Sequence, residues 1–278
     1  MPGPSLADAS GGDASPLKIT YQSFGQITGM EHYQAFLRAE VAAAVGPGVD
    51  VEVRCLDHAV VGGKGLSSAE ALELPNLLRS VAGAVAAGAE AVAIANGFDP
   101  GLWQSRELFD VPVLGLFETV AFHGLRMGAR LGVLCSGRNG PGRIQELLFR
   151  YGIATRFAVP RALGIGVPAV VSAFEDDRAC ARIADEVDTS LKLLAADGAE
   201  LVLIASGALG ALIRSRQLDK VTIIPVLPNT PILARELVAA AALSRLGVPA
   251  VSRVGRFAGA PDVVRESLLS APDRLQTR

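Results

Sequence analysis

Two ten-residue segments hold the polar residues best placed to do chemistry, and each is a near copy of the other. Gly88-Ala89-Glu90-Ala91-Val92-Ala93-Ile94-Ala95-Asn96-Gly97 returns roughly 110 residues later as Gly198-Ala199-Glu200-Leu201-Val202-Leu203-Ile204-Ala205-Ser206-Gly207. Each copy reads as the end of a helix, a turn, a buried strand, then a polar residue and a glycine. In a parallel α/β sheet that last position is the carboxyl end of a strand, where ligands bind. An amide such as Asn96 can hold a carbonyl or carboxylate oxygen. Ser206 precedes a glycine and a helix start, so its hydroxyl can act as nucleophile or oxyanion donor beside a helix end that favours anions. The plainer alternatives are a loop-bonding amide and a helix N-cap. A cap and a ligand contact can coexist.

The elements that must position this pair alternate strictly. Lys18–Tyr21 is a predicted strand followed by a turn over Gln22–Gly25, a helix from about Met30 to Val45, and a strand from Val49 to Leu56. A glycine-rich loop from Val60 leads to a helix over Ser68–Ala87 capped by Ser67 or Ser68. After the strand Ala91–Ala95, Asp99 and Pro100 have the pattern of an N-cap and a first helical residue. Val111–Leu116 is a fourth strand. The second half repeats the order: strands at Arg130–Leu134, Thr155–Val159, Leu201–Ala205 and Thr222–Leu227, and helices over Pro141–Tyr151, Asp176–Ala196, after Gly207, and from Asn229 to Arg245. Arg161–Ser172 is read as a loop, and Asn229-Thr230-Pro231 as a helix cap. The expected fold is α/β: two pseudosymmetric, parallel-sheet, flavodoxin-like halves with an active-site cleft between them.

Composition narrows the function classes. The 278 residues are 50% hydrophobic and carry a formal net charge of -2, with no basic block to suit nucleic acid. No apolar run reaches the ~18 residues of a membrane span. Residues 1–16 read as a disordered leader, not a signal peptide. The three cysteines lack metal or disulfide spacing. A cytoplasmic protein with a small-molecule partner, and with neither nucleic acid nor membrane as partner, is expected.

Asn96-Gly97-Phe98-Asp99-Pro100-Gly101-Leu102, Arg106-Glu107-Leu108 and Val111-Pro112-Val113-Leu114-Gly115-Leu116-Phe117-Glu118 together resemble the aspartate/glutamate/hydantoin racemase superfamily. The resemblance leans to its hydantoin and allantoin racemase branch and runs from about Lys18 to Gly247. It implies that the C-terminal helix returns to the first half, so residues 17–117 plus 229–278 would form one domain and 118–228 the other. It implies no cofactor and a homo-oligomer, while no His, Asp or Glu spacing in the sequence supports a metal. In the family one cysteine from each half serves the two faces of a substrate carbon, one as thiolate base and one as thiol acid. Here Asn96 and Ser206 occupy those two positions, so the two-thiol route cannot be carried over.

The resemblance also marks the turns after the first strand of each half as donors to substrate oxygens. Ser23 is the best match in the first half and Ser136 in the second, with Gln22 beside Ser23 a further binding candidate. Gly97, Phe98, Gly207, Asn229 and Thr230 are further binding candidates. Cys135 is a candidate to replace a missing thiol, although a buried apolar cysteine is the commoner case. His123 is a candidate base, although a lone helical histidine is more often packed or solvated; Glu118 matches a family position, and its plainer reading is a buried structural carboxylate bonded across the halves. His32 and His58 have no evident partner. Gly62-Gly63-Lys64-Gly65 lacks phosphate-loop spacing and reads as a flexible loop or lid. The expected activity is a cofactor-independent, isomerase-like reaction on a small carboxylate, cyclic imide or ureide. A decarboxylating lyase, a C–N hydrolase, and a binding or accessory protein without activity are the other readings.

Overall fold

The structure, a computed structural model, describes residues 15–26, 29–56, 65–218 and 223–270. His58, the loop residues 60–64, the leader up to 14 and Thr222 lie outside the described residues. Among those described, the strands are β1 (Leu17–Gln26), β2 (Val49–Leu56), β3 (Ala91–Ala95), β4 (Val113–Gly115), β5 (Leu131–Cys135), β6 (Arg161–Ala162) and β7 (Leu201–Ile204). The helices are α1 (Glu31–Val45), α2 (Ser67–Ala86), α3 (Leu102–Leu108), α4 (Leu116–Gly124), α5 (Gly140–Arg150), α6 (Val167–Ser172), α7 (Asp177–Ala196), α8 (Gly207–Ser215), α9 (Asn229–Arg245) and α10 (Asp262–Ser270).

Two all-parallel sheets result, β2-β1-β3-β4 and β6-β5-β7. A bridge between Val202 and Val226 adds a fourth position to the second sheet, so both follow the same order. The repeated sequence does the same physical work in each half. Gly88 and Gly198 end α2 and α7 with φ of 91° and 85°, where a side chain would be strained. Each closes a Schellman motif: Gly88 and Ala89 donate to Val85 and Ala84, and Gly198 and Ala199 donate to Ala195 and Leu194. The next residue, Glu90 or Glu200, then accepts from the backbone N–H of Lys18 or Ala129. This ties each repeat to the start of the neighbouring strand.

The strands between are buried on both faces, as parallel strands must be. Ala91, Ala93 and Ala95 face one apolar cluster while Val92 and Ile94 face another. Leu201, Leu203 and Ala205 likewise part from Val202 and Ile204. Fully burying Ile94 alone contributes about 1.5–3 kcal/mol. Leu233, Leu237 and Ala241 form one stripe of α9, which packs on α1, β1 and β3.

Several sequence expectations change. β1 runs on through Gln22 and Ser23 to Gln26, so both residues are strand, not turn. α2 starts after Leu66 with no side-chain cap, and α9 after Pro228, also without one. Asp99 does not cap α3, whose N-cap is Gly101. Thr155–Val159 is not a strand: Ala154–Arg156 is a 3-10 turn, Phe157 makes a single bridge to Leu131, and the edge pairing falls to β6. The expected loop over 161–172 holds β6 and α6.

Candidate active site

The two repeats meet backbone to backbone. A Cβ built on Gly97 would lie 2.5 Å from the Ala205 carbonyl oxygen, and one on Gly207 would lie 3.5 Å from the Ala95 carbonyl oxygen. Only glycine at 97 allows that approach. The contact brings the ends of β3 and β7 to the floor of one cleft of about 220 Å³, lined by Asn96, Gly97, Phe98, Ser136, Ser206 and Gly207 among others. The exposed side chains of Leu66 and Arg138 stand on its rim. The volume is below the ~300–1,000 Å³ of drug-sized sites, so it suits a small ring or a short carboxylate.

Asn96 follows β3 and is partly exposed to the cleft. Its Oδ1 accepts from Phe98 N–H at 2.9 Å, which leaves the amide NH2 as the group it can offer a ligand. Ser206 is the N-cap of α8, and its Oγ accepts from Leu209 N–H at 3.3 Å. Its O–H proton stays available as a donor. Both residues therefore spend acceptor capacity on their own loops and keep donors for the cleft. The N-terminal ends of α5 and α8 line the same space through Gly140 and Gly207, which favours negative charge there. The Ser136 hydroxyl lines the cleft without a hydrogen bond to another described residue.

Three contributors were not picked out from sequence. Tyr33, on the buried stripe Tyr33-Leu37-Val41-Val45 of α1, places its hydroxyl beside Gly207 and 3.4 Å from Ser23 Oγ. Burial pushes its phenol up to about 12, so it is a neutral hydroxyl. Glu73 lines the cleft from α2 at 3% exposure, with Asn76 Nδ2 donating to Oε2 at 3.4 Å. A carboxylate within the apolar stripe Ala69-Glu73-Leu77 is the sequence signal that marks it. Arg143 of α5 donates to Glu70 Oε2 at 2.6 Å and stacks 3.8 Å from the Phe98 ring centroid. One guanidinium from the second half thus holds two cleft residues of the first, a pairing with no local sequence signal.

Other expected site residues do not reach the cleft wall. Gln22 is fully buried, accepting from Ser80 Oγ and donating to Ser23 O. Ser23 accepts from Gly25 N–H and stands behind Tyr33. Cys135 is packed under Gly140, and burial pushes its thiol up to about 12. Its side chain belongs to the core because successive residues of β5 face opposite sides. Asn229 donates to Ile204 O at 2.6 Å beneath α8. Thr230 is buried against Tyr21 and Glu40.

Asp99 is a stitch between the halves. Its carboxylate accepts from Phe117 N–H, Glu118 N–H and Tyr151 Oη–H, each at 2.8 Å, and so caps α4 instead of α3. Burial lifts it to about 7 against those bonds. Glu118 is held by Arg106, His123 by Glu236, and His32 by Glu175. None of these three carboxylate pairs lines the cleft. Among the described residues no cluster of three or more His, Cys, Asp or Glu could hold a metal, and no helix is long and apolar enough to cross a membrane.

The Asp/Glu/Hydantoin racemase family model matches residues 28–237. A hydantoin racemase from Rhizobium meliloti is 26% identical over 194 residues, spanning 68% of this chain and 78% of that protein. The allantoin racemase from Klebsiella pneumoniae superposes with a TM-score of 0.72 at 23% identity, over 88% of this chain and 94% of that one. The allantoin racemase from Pseudomonas fluorescens gives 0.70 at 20% identity, over 88% and 97%. Both structures share the two-sheet fold described above.

Proposed function

The chain belongs to the Asp/Glu/hydantoin racemase family, and on that premise we propose that it moves a proton at a carbon next to a carbonyl, in a small cyclic ureide, imide or carboxylate, without a thiol pair. The hydantoin and allantoin racemases it resembles supply the substrate class. The observation that carries the reading is the meeting of Gly97 with Ala205, which sets Asn96 and Ser206 on one small cleft. Removing such a proton leaves an enolate, whose charge falls on oxygen. The Asn96 amide, the Ser206 hydroxyl and the ends of α5 and α8 are donors for that charge, fixed before the reaction starts. The reaction class is isomerase-like, with no cofactor in its path. The protein acts in this reading as a homo-oligomer in the cytoplasm.

A second reading has its own support. Asn96 and Ser206 both bond the backbone of their own loops, which suits a cleft that holds a ligand and does nothing to it. Incubation with single enantiomers of hydantoins and allantoin in deuterated water separates the two. Proton NMR should show loss of the carbon-bound hydrogen next to the carbonyl, slowed ~10²-fold or more in Ser206→Ala. Binding by calorimetry without exchange of any panel member would favour the non-catalytic reading. Release of carbon dioxide from an arylmalonate, or ring opening, would move the activity to a lyase or hydrolase.

A further inference from the structure

A second cavity, of about 390 Å³, opens where α2, α3, the end of α5 and the C-terminal segment come together. That is the size of a small-molecule site. Trp103 of α3 stands in its wall with two guanidiniums against its ring. Arg150, the last residue of α5, lies 5.1 Å from the ring centroid, and Arg256, in the 3-10 turn Gly255–Phe257, lies 4.8 Å from it. Both distances run to one ring centre, so the two cations are no farther apart than those distances laid end to end. The turn that carries Arg256 is fixed in place. Arg253 donates to Phe109 O at 2.6 Å and to Arg106 O at 2.8 Å, Ala260 N–H donates to Glu107 O at 2.9 Å, and the Phe257 ring meets Trp103 edge-on at 6.2 Å.

The carboxylates of this cavity are already engaged. Glu70 Oε2 accepts from Arg143 at 2.6 Å, and Asp99 accepts three hydrogen bonds at 2.8 Å. The cations are not. Arg150 makes no hydrogen bond or ion pair with another described residue, and Arg256 has Glu107 at 3.8 Å, beyond hydrogen-bond length. The unspent charge on the walls is therefore positive. Two like charges held against one ring repel, and an anion between them turns that repulsion into attraction.

We propose that this second cavity binds a small organic dianion, a dicarboxylate or a phosphate ester, held by Arg150 and Arg256 beside Trp103. Guanidinium presents paired N–H donors that match the oxygens of carboxylate and phosphate. A bare inorganic ion would leave most of the 390 Å³ empty, and the remaining space takes the carbon frame of the ligand. α5 follows β5 of one sheet and α3 follows β3 of the other, so a dianion taken by both arginines bridges the two halves. The site is separate from the cleft, with which it shares Glu70 and Phe98 but neither Asn96 nor Ser206. It does not depend on the reaction proposed there.

Trp103 is the single tryptophan of the chain, so tryptophan emission reports on this cavity alone. The full chain is titrated with succinate and, separately, with glycerol phosphate, at ionic strength held constant with sodium chloride. A saturable change in emission is expected, and the ligand that saturates at lower concentration tells a dicarboxylate site from a phosphate ester site. Arg150→Gln and Arg256→Gln should each weaken binding at least ~10-fold, since each removes charged hydrogen bonds. Arg182→Gln, which removes an exposed cation of α7 that lines neither cavity, should leave binding unchanged. Absence of saturation by either ligand, in emission and in calorimetry alike, would overturn the assignment. Binding that survives both Arg150→Gln and Arg256→Gln would also overturn it, because the anion then sits elsewhere. Should one of these variants not fold, the other decides.

Discussion

Replacing Gly97 with alanine tests the claim that the two halves touch backbone to backbone. The added Cβ would stand 2.5 Å from the Ala205 carbonyl oxygen, where ordinary contact begins at 3.4 Å, a shortfall of 0.9 Å (3.4 less 2.5). The obstacle is backbone on both sides, so no side chain can swing away. Overpacking of this kind costs about 1–3 kcal/mol, and the upper end applies here. The stiffer unfolded chain returns roughly 0.4–1 kcal/mol. The net loss is about 2 kcal/mol, or about 4–8 °C in the unfolding midpoint for a chain of this size. Gly137→Ala is the matched control: it also follows a strand end on the cleft, its φ is not positive, and its nearest neighbour is Ile165 O at 3.9 Å. Differential scanning fluorimetry of both variants gives the comparison. If Gly97→Ala melts within about 1 °C of Gly137→Ala, the steric reasoning fails.

Cys135 should resist iodoacetamide at pH 8 in the folded protein and react after unfolding, since burial holds its thiol near 12; peptide mapping that finds it alkylated in the native state would return it to the cleft. Asp99 binds its proton up to about 7 when folded but near 3.8 when unfolded, so its contribution to stability is whole below about pH 4 and is lost as pH rises to about 7. Asp99→Asn should therefore shrink the difference in urea midpoint between pH 5 and pH 8; Glu40, also raised by burial, leaves part of the slope. Arg143→Ala removes the Glu70 ion pair and the Phe98 stack together. A loss of about 1–2 kcal/mol in urea unfolding is expected, and an unchanged midpoint would mean that the contact between halves is energetically idle.

The fold was legible because its signals are local and repeated. A glycine forced into positive φ, a glutamate bonding the next strand, and alternating buried residues write the same ten-residue pattern twice. Asn96 and Ser206 could be placed at strand ends for that reason. What escaped depends on pairings distant in sequence or on the length of a strand. Gln22 and Ser23 looked like turn residues because polar side chains rarely sit in a central strand, yet Ser80 and Tyr33 satisfy them there. Asp99 had the local pattern of a cap and is one, but for a helix 17 residues further on. Cys135 was one position away from exposure: in a strand, that step reverses the face, and Ser136 took the cleft.

The contact between Gly97 and Ala205 has a mechanical consequence. Where the strand ends meet main chain to main chain, neither has a side chain that can give way, whereas the tie of Arg143 to Glu70 beside the opening is made by side chains alone. Side chains bend more readily than main chain, so the two strand-end residues Asn96 and Ser206 stand at the stiffer contact and the α2–α5 tie is the softer one. The closeness of the two strand-end donors thus depends on the absence of a side chain at position 97.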